Sequence, residues 1–177
     1  IPGSLVGSEM CIRDRDSANS SQKPRIVIDR IYDFYSKEFS NVGRSVHYLA
    51  VAATNLYEQT RTSVQKYINA SDKNEIVFTK GATEAINLVA NTFGQKYLDE
   101  GDEVLITELE HHSNYVPWHF LRKSKKINIE FAEVNDQGEV TLEEIKKKIT
   151  DRTKIICVTH LSNVTGAILP IKEIVSF

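Results

Sequence analysis

Three short polar segments of this chain carry side chains that could bind and act on a small charged molecule. They are Lys80–Glu84, Glu108–Asn114 and His160–Gly166, and together they offer glycines, hydroxyls, imidazoles and amides. Each follows a run of apolar residues that is typical of a β-strand. Because ligands of open α/β sheets bind beyond the carboxyl ends of the strands, we expect the three segments to lie at one edge of a sheet.

The first segment has features suited to an anion. Gly81 allows a tight turn, and Ala82 and Thr83 begin a helix whose free N–H groups and dipole favour a phosphate. The Thr83 hydroxyl adds a further donor. The alternative is ordinary helix capping with Lys80 as a solvated surface charge, and this segment taken alone favours that alternative.

The second segment contains the adjacent histidines His111 and His112. Adjacent residues of an extended segment face opposite ways, so the two are poor joint metal ligands, and no His-x-x-x-His or cysteine cluster supports a metal site. One imidazole could instead stack on a flat cofactor and move protons near neutral pH. A pair of partly exposed loop histidines is an equally good interpretation of this segment alone.

The third segment offers Asn163, whose amide donates and accepts hydrogen bonds without ionising. It could bind a phenolic ring oxygen, or it could simply close a turn. His160 is interpreted as a structural histidine. Cys157, inside the preceding apolar run, is interpreted as an inert core thiol and not as a nucleophile.

Strands are predicted to alternate with helices over the second part of the chain. The strands are predicted at Glu75–Thr79, Glu103–Thr107, Ile127–Phe131 and Lys154–Thr159. The helices are predicted at Thr83–Tyr97, Tyr115–Lys123, Thr141–Ile149 and Ile171–Ser176. This order predicts an α/β fold with a mostly parallel sheet flanked by helices.

Two amphipathic helices, at Pro24–Phe39 and Tyr48–Ile68, are predicted before the first strand. We therefore divide the chain into an N-terminal helical segment, residues 22–72, and the first part of a large α/β domain, residues 73–177. Residues 1–21 are interpreted as a leader, either translated adapter that is foreign to the protein or a disordered tail. The pattern stops as a fresh helix begins, which predicts that the α/β domain is incomplete.

The overall composition argues against several classes of protein. The 177 residues include 22 Lys and Arg against 24 Asp and Glu, and the net charge of -2 gives no general attraction to nucleic acid or to an anionic membrane. No run approaches the roughly eighteen apolar residues of a membrane span. The cysteines, Cys11 and Cys157, match no metal or redox spacing, and a reducing, cytoplasmic location is the default expectation.

A family resemblance is carried by four blocks in a fixed order: NVGRSVHYLA (Asn41–Ala50), GATEAINLVAN (Gly81–Asn91), ELEHHSNYVPW (Glu108–Trp118) and THLSNVTG (Thr159–Gly166). From about Gln22 to its end the chain resembles the class V aminotransferase group, and most closely the SufS-like branch of the cysteine desulfurases. The resemblance implies fold type I of the enzymes that use pyridoxal 5'-phosphate, and a homodimer when full length. It also implies conversion of L-cysteine to L-alanine and an enzyme persulfide, which supplies a sulfur-acceptor protein of iron–sulfur cluster assembly.

The resemblance also implies roles for individual residues. Ala82 and Thr83 match the positions that hold the cofactor phosphate. His111 matches the histidine that stacks on the pyridine ring, and it is a candidate catalytic acid or base. Asn163 matches the asparagine near the ring hydroxyl, and His47 matches a histidine at the mouth of the site, taken here as substrate-binding.

The chain departs from the family pattern in two places. Gly43-Arg44-Ser45 stands where the family has His-Arg-Gly, and Asp16–Ser21 replaces the family's Asp-Asn-Ala-Ala-like start. The family's pyridine-pairing aspartate, cofactor-binding lysine and sulfur-accepting cysteine have no counterpart in the chain, so we expect it to be inactive alone. The alternatives are another class V enzyme (an aminotransferase, a selenocysteine lyase or an epimerase) and a truncated non-catalytic scaffold.

Overall fold

The computed structural model describes residues 21–43 and 46–177 of the chain. Most of the predicted leader, with Cys11, and the loop residues Arg44 and Ser45 lie outside the described residues. The chain divides into two compact units, of which the first ends at Phe78 and the second spans Thr79–Phe177.

Two helices dominate the first unit, as the spacing of apolar residues predicts. Helix α1 (Arg25–Asp33) runs into a π-helical turn at Phe34–Glu38, and α2 spans Tyr48–Tyr67. Pro24 is the N-cap of α1. Its missing N–H costs little there, because the first N–H groups of a helix have no acceptor within the helix.

The prediction of a strand at Glu75–Thr79 is wrong. Lys73–Glu75 forms a 3-10 helical turn, and Ile76 follows with an extended backbone (φ −92°, ψ 115°). No described strand pairs with this segment. β-branched and aromatic residues favour an extended backbone, but a strand also requires a neighbour that exchanges hydrogen bonds with it, and local propensity cannot supply one.

A side chain takes the place of that neighbour. Arg61 of α2 donates a hydrogen bond to the carbonyl oxygen of Ile76, whose side chain is buried. The guanidinium carbon of Arg61 stands 5.1 Å from the centre of the Tyr57 ring and 5.3 Å from that of Phe78. Arg61 therefore joins the extended segment to α2 through its hydrogen bond to Ile76 and its cation–π contact with Phe78.

The second unit is built on a three-stranded parallel sheet. Its strands are β1 (Glu103–Thr107), β2 (Asn128–Ala132) and β3 (Thr153–Cys157), in the spatial order β2-β1-β3. The other three predicted strands are thus confirmed, with small shifts at their ends. The edge strand β3 leaves Ile156 37% exposed although its sequence is largely apolar.

The predicted helices are present: one precedes β1, one lies between each pair of consecutive strands, and one follows β3. They are α3 (Ala82–Val89), which continues through a π-helical turn (Ala90–Gly94) to Tyr97, α4 (Val116–Lys125), α5 (Leu142–Lys148) and α6 (Ile171–Ser176). Within the described ranges, no helix combines the length and the apolar character that crossing a bilayer requires.

The core is divided between the two faces of the sheet. Val104 and Ile106 of β1 belong to one cluster, together with Ala90, Trp118 and Leu121 from the α3 continuation and α4. Leu105, between them in sequence, belongs to a second cluster with Ile145 of α5 and Ile174 of α6. Side chains of a strand alternate between faces, so one central strand anchors helices on both sides. Because the strands are parallel, the segments that follow β1 and β3 leave the same edge of the sheet.

Candidate functional site

The N-terminus of α3 presents unused hydrogen-bond donors. Its N-cap, Gly81, supplies no side-chain acceptor, and the N–H groups of Ala82, Thr83 and Glu84 donate to no acceptor among the described residues. A Cβ added to Gly81 would have no atom within 4 Å, so the space beside it is open. The Glu84 carboxylate turns back and accepts from the Lys80 N–H at 2.6 Å, which holds the preceding turn. Free N–H groups and a positive dipole end suit this opening to a phosphate.

His111 is exposed and is hydrogen-bonded through one ring nitrogen. Its Nδ1 accepts from the Ser113 N–H at 3.2 Å and lies 2.9 Å from Ser113 Oγ. Through these contacts His111 caps the 3-10 turn His112–Asn114. A nitrogen that accepts a backbone N–H must carry the lone pair, so the proton of the neutral imidazole resides on Nε2. His111 therefore presents an N–H donor at its other ring nitrogen.

The two adjacent histidines diverge, as their spacing predicts. Their ring centres are 6.1 Å apart and the ring planes meet at 86°. A cavity of about 390 Å³ opens beside the end of β1 and is lined by His112 and not by His111. The other residues that line it are Ile106, Thr107, Glu108, Glu110, Tyr115 and Phe131. Among the residues that the structure describes, no group of three or more His, Cys, Asp or Glu side chains is arranged to hold a metal ion.

The first two predicted segments are brought together by packing. Helix α3, which carries Ala82 and Thr83, contacts the 3-10 turn His112–Asn114. His111 caps that turn, so the helix that carries Ala82 and Thr83 and the turn that His111 caps are in contact.

Asn163 is exposed in a tight turn after β3. The buried Ser162 holds this turn, because its Oγ accepts from the N–H groups of Val164 at 3.2 Å and Thr165 at 3.3 Å. Gly166 has a φ of 76°, in the region that favours glycine, and donates to the Ser162 carbonyl at 3.0 Å. Asn163 is thus part of a turn, and its exposed amide remains suited to a ligand.

Glu110 is a residue that the sequence analysis did not select, and it links the second and third segments. Its Oε1 accepts from the Thr107 hydroxyl at 2.7 Å and from the Thr159 N–H at 2.5 Å. Its Oε2 accepts from the Asn114 side-chain amide at 2.7 Å. The only signal in the sequence was an acidic residue soon after a strand, which is common in solvated loops.

Cys157 is buried, as predicted, with 6% of its surface exposed. Burial raises the pKa of its thiol to about 12, and the negative charge of Glu110 adds to the effect. Since the thiolate is the reactive form, the thiol is inert near neutral pH. The interpretation of Cys157 as a core residue is confirmed.

His47 lies in the first unit as the N-cap of α2. Its Nδ1 accepts from the Ala50 N–H at 3.4 Å, and its Nε2 lies 3.4 Å from Ser40 Oγ. The structure thus shows a capping role for this histidine, and its role toward a substrate stays a prediction.

The sequence matches the aminotransferase class-V family over residues 15–177. The chain belongs to the class-V aminotransferase family. It is 46% identical to a cysteine desulfurase of Synechococcus elongatus over 160 residues, which are 90% of this chain and 26% of that protein.

Solved structures of related class-V proteins have the same fold. The apo cysteine desulfurase of Thermococcus onnurineus aligns with a TM-score of 0.83 and 37% identity over 90% of this chain and 39% of that one. The cysteine desulfurase CsdA of Escherichia coli aligns with a TM-score of 0.79 and 34% identity over 92% of this chain and 41% of that one. The predicted fold and family are confirmed, and the chain spans less than half the length of these relatives.

Members of the class-V family depend on pyridoxal 5'-phosphate, and the residues present fit this cofactor. The open N-terminus of α3 suits a phosphate, and the exposed imidazole of His111 suits a flat ring. The uncharged amide of Asn163 suits a ring oxygen.

Proposed function

We propose that this chain forms the phosphate- and ring-binding part of a pyridoxal-5'-phosphate-dependent cysteine desulfurase. The observation that carries the proposal is the open N-terminus of α3, a helix that packs against the turn capped by His111. Donors for an anion and an exposed imidazole thus belong to two elements that contact each other, which suits a phosphorylated planar cofactor. The intact protein moves the sulfur of L-cysteine to an enzyme thiol, which becomes a persulfide, and L-alanine is released.

The proposal gives each site residue one task. Ala82 and Thr83 bind the phosphate through their N–H groups, and the Thr83 hydroxyl adds a donor. His111 stacks on the ring and holds a proton at Nε2, from which it acts as an acid or a donor. Asn163 binds the ring oxygen without adding charge. The cofactor itself supplies an electron sink for the α-carbon of a bound amino acid.

The sulfur-accepting thiol is not Cys157 in this proposal. A thiol with a pKa raised to about 12 by burial is protonated at neutral pH and cannot attack the substrate sulfur. On the family resemblance, we propose that the intact protein is a cytoplasmic homodimer that passes its persulfide sulfur to an acceptor protein of iron–sulfur cluster assembly.

The phosphate role is tested by titrating the intact protein with pyridoxal 5'-phosphate and following its absorbance. Thr83→Ala removes a hydrogen bond to a charged group, which is worth about 1.5–3 kcal/mol, so we expect affinity to fall by roughly tenfold to a hundredfold. Thr83→Ser should retain most of it. Thr92→Ala is the matched control, because the Thr92 hydroxyl bonds only to the Leu88 carbonyl within the same helical run, at 2.6 Å. Equal affinity of Thr83→Ala and the wild type would contradict the assignment.

The activity is tested by measuring alanine released from L-cysteine by the intact protein. We expect His111→Ala to lower kcat by at least the roughly hundredfold that a positioned acid or base contributes. For His47 we propose a substrate-binding role, and His47→Asn is the informative variant because asparagine also caps helices. A raised KM with unchanged stability would support that role. An intact protein that releases no alanine, but transfers an amino group, would exclude the desulfurase.

A further inference from the structure

The loops that carry His111 and Asn163 leave two neighbouring strands that stop pairing before the loops begin. The parallel pairing of β1 with β3 ends at Ile106 with Cys157. Beyond that pair, backbone hydrogen bonds between the two loops are absent from the described residues. Direct hydrogen bonds between the loops are therefore made by side chains.

The Glu110 side chain forms hydrogen bonds to both loops. One carboxylate is anchored to the end of β1 through Thr107, reaches the 3-10 turn through Asn114, and accepts the Thr159 N–H beyond β3. The two partners Thr107 and Thr159 share Oε1, at 2.7 and 2.5 Å. Hydrogen bonds to an ionised acceptor are shorter and stronger than those between neutral groups. Among the described residues, no other side chain bonds to both loops.

We infer that Glu110 is a positioning residue that holds the His111 loop and the Asn163 loop in one fixed relation. Because α3 packs against the turn that Asn114 ends, the same contacts also join these loops to the helix that carries Ala82 and Thr83. The chemical consequence of the inference rests on the proposed function, but the structural link between the loops does not.

The link is tested first without cofactor, by hydrogen exchange at the Thr159 amide of the intact protein. We expect Glu110→Ala to speed this exchange at least tenfold, while the amide of the central residue Leu105 keeps its rate. Glu108→Ala is the matched control. The Glu108 carboxylate accepts from the Val134 N–H at 2.9 Å, so this variant should speed exchange at Val134 and leave Thr159 unchanged.

A gentler variant keeps the test decisive if Glu110→Ala does not fold. Glu110→Met keeps the length of the side chain but provides no acceptor for the Thr159 N–H. Glu110→Gln keeps an acceptor, because Asn114 can turn its amide oxygen toward the new NH2 group while the Gln oxygen still accepts from the Thr159 N–H. We expect the Thr159 exchange rate to rise in Glu110→Met and to stay closer to the wild-type rate in Glu110→Gln. Unchanged exchange at Thr159 in Glu110→Met, or an equal rise in Glu108→Ala, would overturn the inference.

The consequence for the site is tested by circular dichroism of saturating pyridoxal 5'-phosphate. The cofactor is not chiral, so its signal in the bound state reports how the protein holds the ring. We expect Glu110→Met to alter this band, Glu110→Gln to retain most of it, and Glu108→Ala to preserve it. An unaltered band despite faster Thr159 exchange would show that Glu110 positions nothing at the cofactor. A wild-type protein that binds no cofactor would refute the proposed function, while the exchange rates would still decide whether Glu110 links the loops.

Discussion

Replacing Gly94 with alanine tests the close packing between the continuation of α3 and α4. Gly94 has helical dihedral angles (φ −59°, ψ −47°), so its backbone would accept any residue. The space around Gly94, however, is too small for a larger side chain. A Cβ built on Gly94 lies 2.6 Å from Leu121 Cδ2 and 3.4 Å from a ring carbon of Trp118. Ordinary carbon contacts are about 3.5–4.0 Å, so the new methyl group overlaps Leu121 by about 1 Å.

Two opposed terms set the size of the effect. Leu121 is 4% exposed and packs in the same cluster as Trp118, so it cannot move without displacing other core side chains. Overpacking of this kind costs about 1–3 kcal/mol, and the higher helix propensity of alanine returns about 1 kcal/mol. We expect Gly94→Ala to lower the free energy of unfolding by about 1 kcal/mol.

The assay is urea unfolding of the intact protein, with Gly94→Ala made in two backgrounds. In the wild type the substitution should destabilise. In Leu121→Ala, which alone costs about 2–5 kcal/mol, the clashing atoms are gone and only the propensity term of about 1 kcal/mol remains, so the substitution should stabilise. Equal loss of stability in both backgrounds would refute the packing argument, because the clash with Leu121 would then contribute nothing.

Other contacts lead to predictions of the same kind. Arg61→Ala should lower the free energy of unfolding by about 1–3 kcal/mol in urea titrations, and Arg61→Lys should recover only part of it because an ammonium group lacks the planar fork. Cys157 should resist iodoacetamide at pH 8 in the native protein and react after unfolding, as read by mass spectrometry, since burial raises the pKa of its thiol to about 12. The hydrogen bond from Lys73 lowers the pKa of Glu58, so its stabilising effect is present above the ordinary glutamate pKa and is lost as the pH falls through the lowered value. Titration followed by NMR should show this lowered pKa, and Lys73→Met should move it back toward the ordinary value.

Periodicity of apolar residues determined most of the fold in advance. Continuous apolar runs predicted β1 and β2, and helical spacing of apolar residues predicted α2 through α6. These patterns are visible in the local sequence because each element buries its apolar side chains against the core. The burial of Cys157 was predicted from the apolar run in which it lies. The segments after β1 and β3 were expected at one sheet edge on topology alone, and the parallel pairing of these strands confirms it.

Local signals failed where a partner lies far away in sequence. The Glu75–Thr79 run has strand propensity, yet its carbonyl at Ile76 is bonded by an arginine side chain, and no described strand pairs with it. The apolar run of β3 predicted a buried strand, yet its place at the edge of the described sheet leaves Ile156 exposed.

The candidate site shows the same division. The sequence alone was enough to select Thr83, His111 and Asn163 as candidates. Their functional groups (a hydroxyl, an imidazole and an amide) have the same chemistry wherever the residue lies in the fold. The sequence alone could not predict the Nε2 proton of neutral His111 or the role of Glu110. Both depend on which atom stands opposite, and the Thr159 N–H that Glu110 binds is 49 residues away along the chain. Hydrogen bonds are directional and short in range, so only the tertiary structure decides which distant groups meet.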